Sequence, residues 1–260
     1  MKKVLAIGPA ESAEELSKQG LDTSSFDIVL GMHRVFPHLN IDLDLWTWAD
    51  PDASIDGLTA FMENKVIGLE SMPNIILPWY FESLDKFKEN CGTSPILKAN
   101  KKIRSLYREA IDLLDQKNKI VWIKNAVNTK TIPPTSNVFS NPELRFNSNK
   151  TYFGSVPYDS SRSESNWATE NKFTSFILPI CHYLGATDVF ALGFDNKGRG
   201  IKRTIPQSNN NPTTINKYLS KYPLWLDKWK KFHNINIYSV TPDKFTPNNT
   251  IMEYVNIENV

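Results

Sequence analysis

Cysteine is scarce: Cys91 and Cys181 are the only two in 260 residues. That count excludes a disulfide scaffold and a thiolate zinc site. Histidine is scarce too, with His33, His38, His182 and His233 and no His-x-x-x-His pair. No other dense ligand cluster exists in the sequence, which disfavours a tightly held structural metal. Glycine numbers 11, and no G-x-G-x-x-G or Lys-Ser/Thr phosphate loop is formed. This disfavours a dinucleotide oxidoreductase and a Walker-type nucleotidase. No apolar run approaches the ~18 residues of a spanning helix. The opening MKKVLAIGPAES carries two lysines and only a short apolar stretch before an acidic segment. A cleaved signal peptide does not fit it, and a cytoplasmic location is expected. Excess charge is lacking as well: a formal +2 gives the whole chain no claim on a polyanion.

What is present is an ordinary globular balance, 40% hydrophobic and 22% charged. The length fits one large domain carrying a lid. Aromatics reach 12%, with seven Trp, as core or as platforms for flat or sugar-like ligands.

Short apolar runs punctuate the chain. Lys3–Ile7 (KVLAI) reads as a strand, broken by Gly8-Pro9-Ala10. Ser12 followed by Glu15 fits a capping box opening a helix that Gly20 can close. Further strands are expected at 27–32, 43–49, 74–78, 120–123, 188–192 and 235–240. Helical spacing follows Asp50-Pro51-Asp52 through Ile55, Leu58, Phe61 and Met62. Helices are also expected at 81–89, at 101–117, at 170–183 and from Pro212 to about His233. In 101–117 the apolar stripe is Ile103, Leu106, Ala110, Leu113 and Leu114. Residues 125–166 are rich in Asn, Ser, Thr and Pro and read as an irregular lid or excursion within one domain spanning 1–260.

Strands alternating with helices imply an α/β, Rossmann-like fold: a mostly parallel sheet with helices on both faces. Ligands in such folds sit beyond the carboxyl ends of the strands. Four strand exits are then expected on one rim: Gly8-Pro9-Ala10, Gly31-Met32-His33, Ala49-Asp50-Pro51 and Gly193-Phe194-Asp195.

Each exit carries candidates. Gly8, Pro9 and Ala10 precede a helix N-terminus, where free N–H groups and the helix dipole favour phosphate. An ordinary strand-to-helix turn has the same sequence. Asp50 suits a base that accepts a hydroxyl proton, or a ligand for a sugar hydroxyl; Asp52 equally suits a helix cap. His33 directly follows a strand and is the histidine best placed for proton transfer or a pyrophosphate contact. Asp42 and Asp44 form an Asp-x-Asp, but at the start of their strand, which favours solvated carboxylates. Lys197, Arg199, Lys202 and Arg203 place four cations in seven positions behind Asp195. They suit a leaving diphosphate, a solvated surface loop, or a nucleic-acid backbone. Trp225, Trp229 and Phe232 read as the core face of a helix with a basic outer face.

The segment 175–195 (SFILPICHYLGATDVFALGFD) resembles the helix, Leu-Gly turn, strand and Gly-x-Asp of bacterial single-Rossmann sialyltransferases. It also resembles the related pterin-pyrophosphokinase-like proteins. The Gly8-Pro9 strand exit, the 27–33 strand, Trp48-Ala49-Asp50-Pro51 and INIYSVTP at 235–242 agree in order and spacing. The resemblance covers most of the chain outside 125–166. It implies a nucleotide-sugar-dependent glycosyltransferase acting on an acceptor hydroxyl, with a lid and no tightly bound metal. It places nucleotide contacts at the first turn and near Thr174-Ser175; beside them, Gly193 would line the nucleotide side and Asp195 would bind or orient nucleotide or sugar hydroxyls. The family has Asn where this sequence has His33 and Asp50. Its tyrosine pair is replaced here by Lys197 and Arg203, and no His lies between 196 and 232. Those extra cations suit a diphosphate donor, with Mg²⁺ in attendance. A glycan or lipid-linked sugar is the acceptor the resemblance implies, and a hydroxylated base in DNA is a second. Two other activities are consistent with the same core: pyrophosphoryl transfer from ATP to a pterin-like alcohol, and non-catalytic nucleotide binding.

Overall fold

The KVLAI run is apolar at every second position on both sides, as a strand buried on both faces must be. It forms β1 (Lys3–Ile7), with Val4, Leu5, Ala6 and Ile7 all fully buried. The computed structural model describes residues 1–48, 51–64, 68–78, 95–123, 173, 177–194, 226, 230, 234–242 and 252–260. Within them, β1 is joined by β2 (Ile28–Met32), β3 (Leu45–Thr47), β4 (Asn74–Pro78), β5 (Ile120–Ile123), β6 (Asp188–Leu192), β7 (Asn236–Ser239) and β8 (Glu253–Tyr254). They make one eight-stranded sheet in the order β5-β4-β3-β2-β1-β6-β7-β8. Every pairing is parallel.

The helices are α1 (Glu11–Lys18), a kinked turn α2 (Val35–His38), α3 (Ile55–Asn64), α4 (Pro95–Ala99), α5 (Lys101–Gln116) and α6 (Leu178–Tyr183). Alternate strand residues separate into two layers. Val4, Ala6, Leu30, Ile76, Val189 and Ile237 pack with Leu178 and Cys181 of α6. The opposite side chains, Leu5, Ile7, Val29 and Phe190, pack with Ala13 of α1. Trp46 and Ile75, also on that side, pack with Leu58 of α3 and with Tyr107 and Ile111 of α5. This is the α/β, mostly parallel sheet with helices on both faces that the alternation of elements implies.

Three local expectations are corrected. The capping box does not form: α1 begins at Glu11, its N-cap is Ala10 without a side-chain cap, and Ser12 lies inside the helix, fully buried. The strand-to-helix turn is only Gly8-Pro9-Ala10, so the helix starts before Ser12 can cap it. The buried stripe of α5 is centred on Tyr107, Ala110, Ile111 and Leu114, with Ile103 and Leu113 at its flanks. Tyr107 belongs to it because its hydroxyl has a buried partner, the Ser54 hydroxyl at 3.0 Å. The third strand is shorter than 43–49, covering Leu45–Thr47 alone. Gly20, at φ 82°, closes α1 as expected. The expected helices at 81–89 and 212–233, apart from Leu226 and Lys230, and the 125–166 excursion lie outside the described residues.

Strand order fixes where a crevice opens. From β1 the chain moves outward through β2, β3, β4 and β5, then returns to the other side of β1 as β6 and continues to β7 and β8. Connections leaving β1 and β6 therefore diverge, and the carboxyl ends of these two strands flank the topological switch point.

Candidate functional site

The switch point is built on a backbone-to-backbone contact. Ile7 lies opposite Leu192, and one residue further the Gly8 N–H donates to the Leu192 carbonyl at 2.7 Å. Gly193 follows in the left-handed region, φ 77°. A Cβ on Gly8 would collide with the Gly193 carbonyl oxygen and stand 2.9 Å from the Phe194 ring. A Cβ on Gly193 would collide with the Gly8 carbonyl oxygen and stand 2.9 Å from the Ala13 methyl. Both glycines are thus required by each other. The space beside Gly8 is filled by Gly193 and Phe194. Phe194, partly buried, carries the contact on into a tilted pair with Phe173 at 4.6 Å.

The first turn of α1 has no side-chain cap from its extended N-cap residue, Ala10. Its dipole favours an anion at the crevice. Glu11, exposed in the same turn, works against one; Glu14 is engaged by Lys18 at 2.7 Å.

Next along the rim, β2 is followed directly by His33, a partly exposed residue held at φ 56°. Its N–H donates to the Thr47 carbonyl at 2.8 Å. Its carbonyl accepts from Trp46 Nε1 at 2.6 Å. Trp46 is fully buried, with Trp48 at 4.6 Å on one side and Phe36 at 5.0 Å. Gly57 of α3 makes room for it, since a Cβ there would lie 2.8 Å from the indole edge. Thr47 then donates its hydroxyl to the Ile76 carbonyl at 2.7 Å, tying β3 to β4 beyond their last paired residues. The rim from β1 to β4 is therefore a fixed framework.

Of the sequence-expected site residues, Gly8, Pro9, Ala10 and Gly193 come together at the β1–β6 exits. His33 stands one strand away on the same edge. Asp50, Thr174, Ser175, Asp195, Lys197, Arg199, Lys202 and Arg203 lie outside the described residues. Asp44 has a structural task at the other end of the sheet: its carboxylate accepts the Val29 N–H at 2.7 Å. Trp46 and Trp48 were not expected as parts of the rim. The Trp-Thr-Trp alternation at a strand end was their signal, since both indoles must share one face.

Burial pushes the Cys181 thiol far above its ordinary range, which keeps it neutral and inert. Tyr238 on β7 is also raised, by burial first and then by the charges of Asp188 and Glu253. Among the described residues no group of three or more His, Cys, Asp or Glu is arranged to hold a metal ion. No described helix is long and apolar enough to cross a membrane.

No protein-family model matches the chain. No curated protein matches it in sequence. Among solved structures, it is similar to the sialyltransferase CST-II in complex with a trisaccharide acceptor and CMP, at 12% identity and TM-score 0.48. The match covers 100% of this chain and 88% of that one. It is also similar to a point mutant of the alpha-2,3/8-sialyltransferase CstII, at 11% identity and TM-score 0.45, over 100% and 89% of the two chains.

Proposed function

We propose that the chain is a glycosyltransferase that binds a nucleotide-activated sugar across the β1–β6 switch point and transfers the sugar to an acceptor hydroxyl. The observation that carries this reading is the Gly8–Gly193 contact. It brings the uncapped end of α1 beside the exit of β6; Asp195 and the cationic run follow that exit in sequence. The ordered sequence resemblance to single-Rossmann sialyltransferases supports the same reading.

In this scheme Pro9, Ala10 and the α1 N-terminus face the phosphates. Gly8 and Gly193 set that approach, Thr174 and Ser175 line the nucleotide side, and Asp195 takes ribose or sugar hydroxyls. Asp50 accepts the proton of the acceptor hydroxyl as its oxygen attacks the anomeric carbon, with His33 the second candidate for that task. The bond from the anomeric carbon to the phosphate oxygen breaks, and the nucleotide departs with the electron pair. Lys197, Arg199, Lys202 and Arg203 neutralise the charge that develops on it, which is where the largest part of the rate gain arises. They also outweigh Glu11, whose carboxylate alone would repel the leaving group. The acceptor class is a glycan or lipid-linked sugar.

The test is nucleotide release from cytidine-, uridine- and guanosine-activated sugars, with and without a glycan acceptor. Release from one donor, reduced about 10²–10⁴-fold in Asp50→Ala, is expected of a lost general base. No release from any donor, or unchanged turnover in Asp50→Ala, contradicts the respective assignment. Magnesium-dependent AMP formation from ATP would show pyrophosphoryl transfer instead. Steeply salt-dependent DNA binding would move the acceptor to nucleic acid.

A further inference from the structure

We infer that Trp46, a residue with no exposure to ligand, is a positioning residue that sets the orientation of His33 through its backbone. The inference rests on the reading that His33 faces the donor. A non-glycine residue in the left-handed region relaxes unless its surroundings hold it there. His33 is held at φ 56° by two bonds, both from β3: its N–H to the Thr47 carbonyl at 2.8 Å, and its carbonyl from Trp46 Nε1 at 2.6 Å. Together they fix the direction in which the His33 side chain leaves the chain.

The Trp46 ring has no freedom to release that carbonyl. It is fully buried, Phe36 and Trp48 pack tilted against it, and the bare Cα of Gly57 receives its edge. The neighbouring indole supplies the contrast. Trp48 is 1% exposed in the same cluster, yet its Nε1 has no hydrogen-bond partner among the described residues. Two neighbouring tryptophans therefore offer the core nearly the same apolar body, and one of the two N–H groups holds the rim.

The paired variants Trp46→Phe and Trp48→Phe separate these roles, because each removes one buried indole N–H from one cluster. The readout is the His33 ring proton signal in NMR, assigned by its loss in His33→Asn, together with affinity for uridine diphosphate as the probe. In Trp46→Phe the His33 signal is expected to shift or broaden and diphosphate affinity to fall about two- to tenfold, the worth of one hydrogen bond. In Trp48→Phe both are expected to stay as in the wild type. Where the smaller ring at 46 prevents folding, benzothienylalanine at the same position keeps the indole shape and replaces N–H by sulfur. A His33 signal unchanged by either substitution at 46, or moved equally by the change at 48, overturns the inference. If uridine diphosphate leaves the wild-type His33 signal in place, the donor-facing reading of His33 fails. The 46-against-48 comparison of the signal itself still decides the positioning role.

Discussion

The Gly8–Gly193 contact makes a quantitative demand on stability that a second glycine isolates. Gly185 and Gly193 both sit at φ 77°, but a Cβ on Gly185 would meet nothing within 4 Å, whereas one on Gly193 would strike the Gly8 carbonyl. Alanine at either position carries the left-handed backbone cost of ~1–2 kcal/mol. Both regain ~0.4–1 kcal/mol by restricting the unfolded chain. Gly185→Ala should therefore lose about 0–1.5 kcal/mol net. Gly193→Ala adds the strain of forcing two turns apart, ~1–3 kcal/mol, for a total of about 1–4.5 kcal/mol. At ~2–4 °C per kcal/mol for a chain of this size, midpoints should fall by up to about 6 °C for Gly185→Ala. For Gly193→Ala the fall should be about 2–18 °C, and larger than that of Gly185→Ala in every case. Differential scanning calorimetry and urea unfolding of the two variants measure this. The double variant Gly8→Ala/Gly193→Ala should be non-additive, because each methyl forces apart the same pair of turns. Equal losses at 185 and 193 would refute the reasoning, since the shared backbone cost would then account for everything.

Thr47→Val keeps the side-chain shape but deletes the hydroxyl bond to the Ile76 carbonyl. A loss of about 1 kcal/mol in urea unfolding is expected, and an unchanged midpoint would show that the β3–β4 seam does not depend on it. Cys181 is fully buried with a raised thiol pKa. In a Cys91→Ser background it should resist a thiol reagent at pH 8 until the protein is unfolded, and rapid labelling of the native protein would contradict its burial. The sign of the linkage follows from the same shift. The folded thiol stays neutral while the unfolded one ionises, so stability is intact below about pH 8.5 and declines as pH rises beyond it. Relative to Cys181→Ala, the decline should approach ~1.4 kcal/mol per pH unit; parallel pH profiles for the two proteins would remove the effect.

The strands were legible because a parallel strand buried on both faces leaves an unbroken apolar run. KVLAI, NIILP and DVFAL each appear in the fold with the bounds their sequence suggests. Two-residue β8 has no such run; the Val255 N–H donated to the Ser239 carbonyl continues its place beside β7. Helix starts were less legible, because capping depends on where the preceding turn ends. Ser12 had the sequence of a cap, but the three-residue turn put it inside α1, where its side chain is buried. The site was legible as a set of strand exits, not as a set of contacts. Gly8 and Gly193 are 185 positions apart in the sequence. Their mutual requirement arises only because β6 returns to pair with β1. The task of the Trp46 N–H depends on the parallel pairing of β2 with β3, which no local pattern encodes.

The central claim is that a nucleotide-activated sugar occupies the β1–β6 switch point. Backbone amide NMR during titration with cytidine-, uridine- and guanosine-activated sugars tests it most directly. The expected result is that one donor produces its largest shifts at Gly8, Ala10, the first turn of α1 and Gly193, with His33 following. Shifts concentrated at the opposite edge, around Asp27, Asp44 and Asp188, or none with any donor, would contradict it.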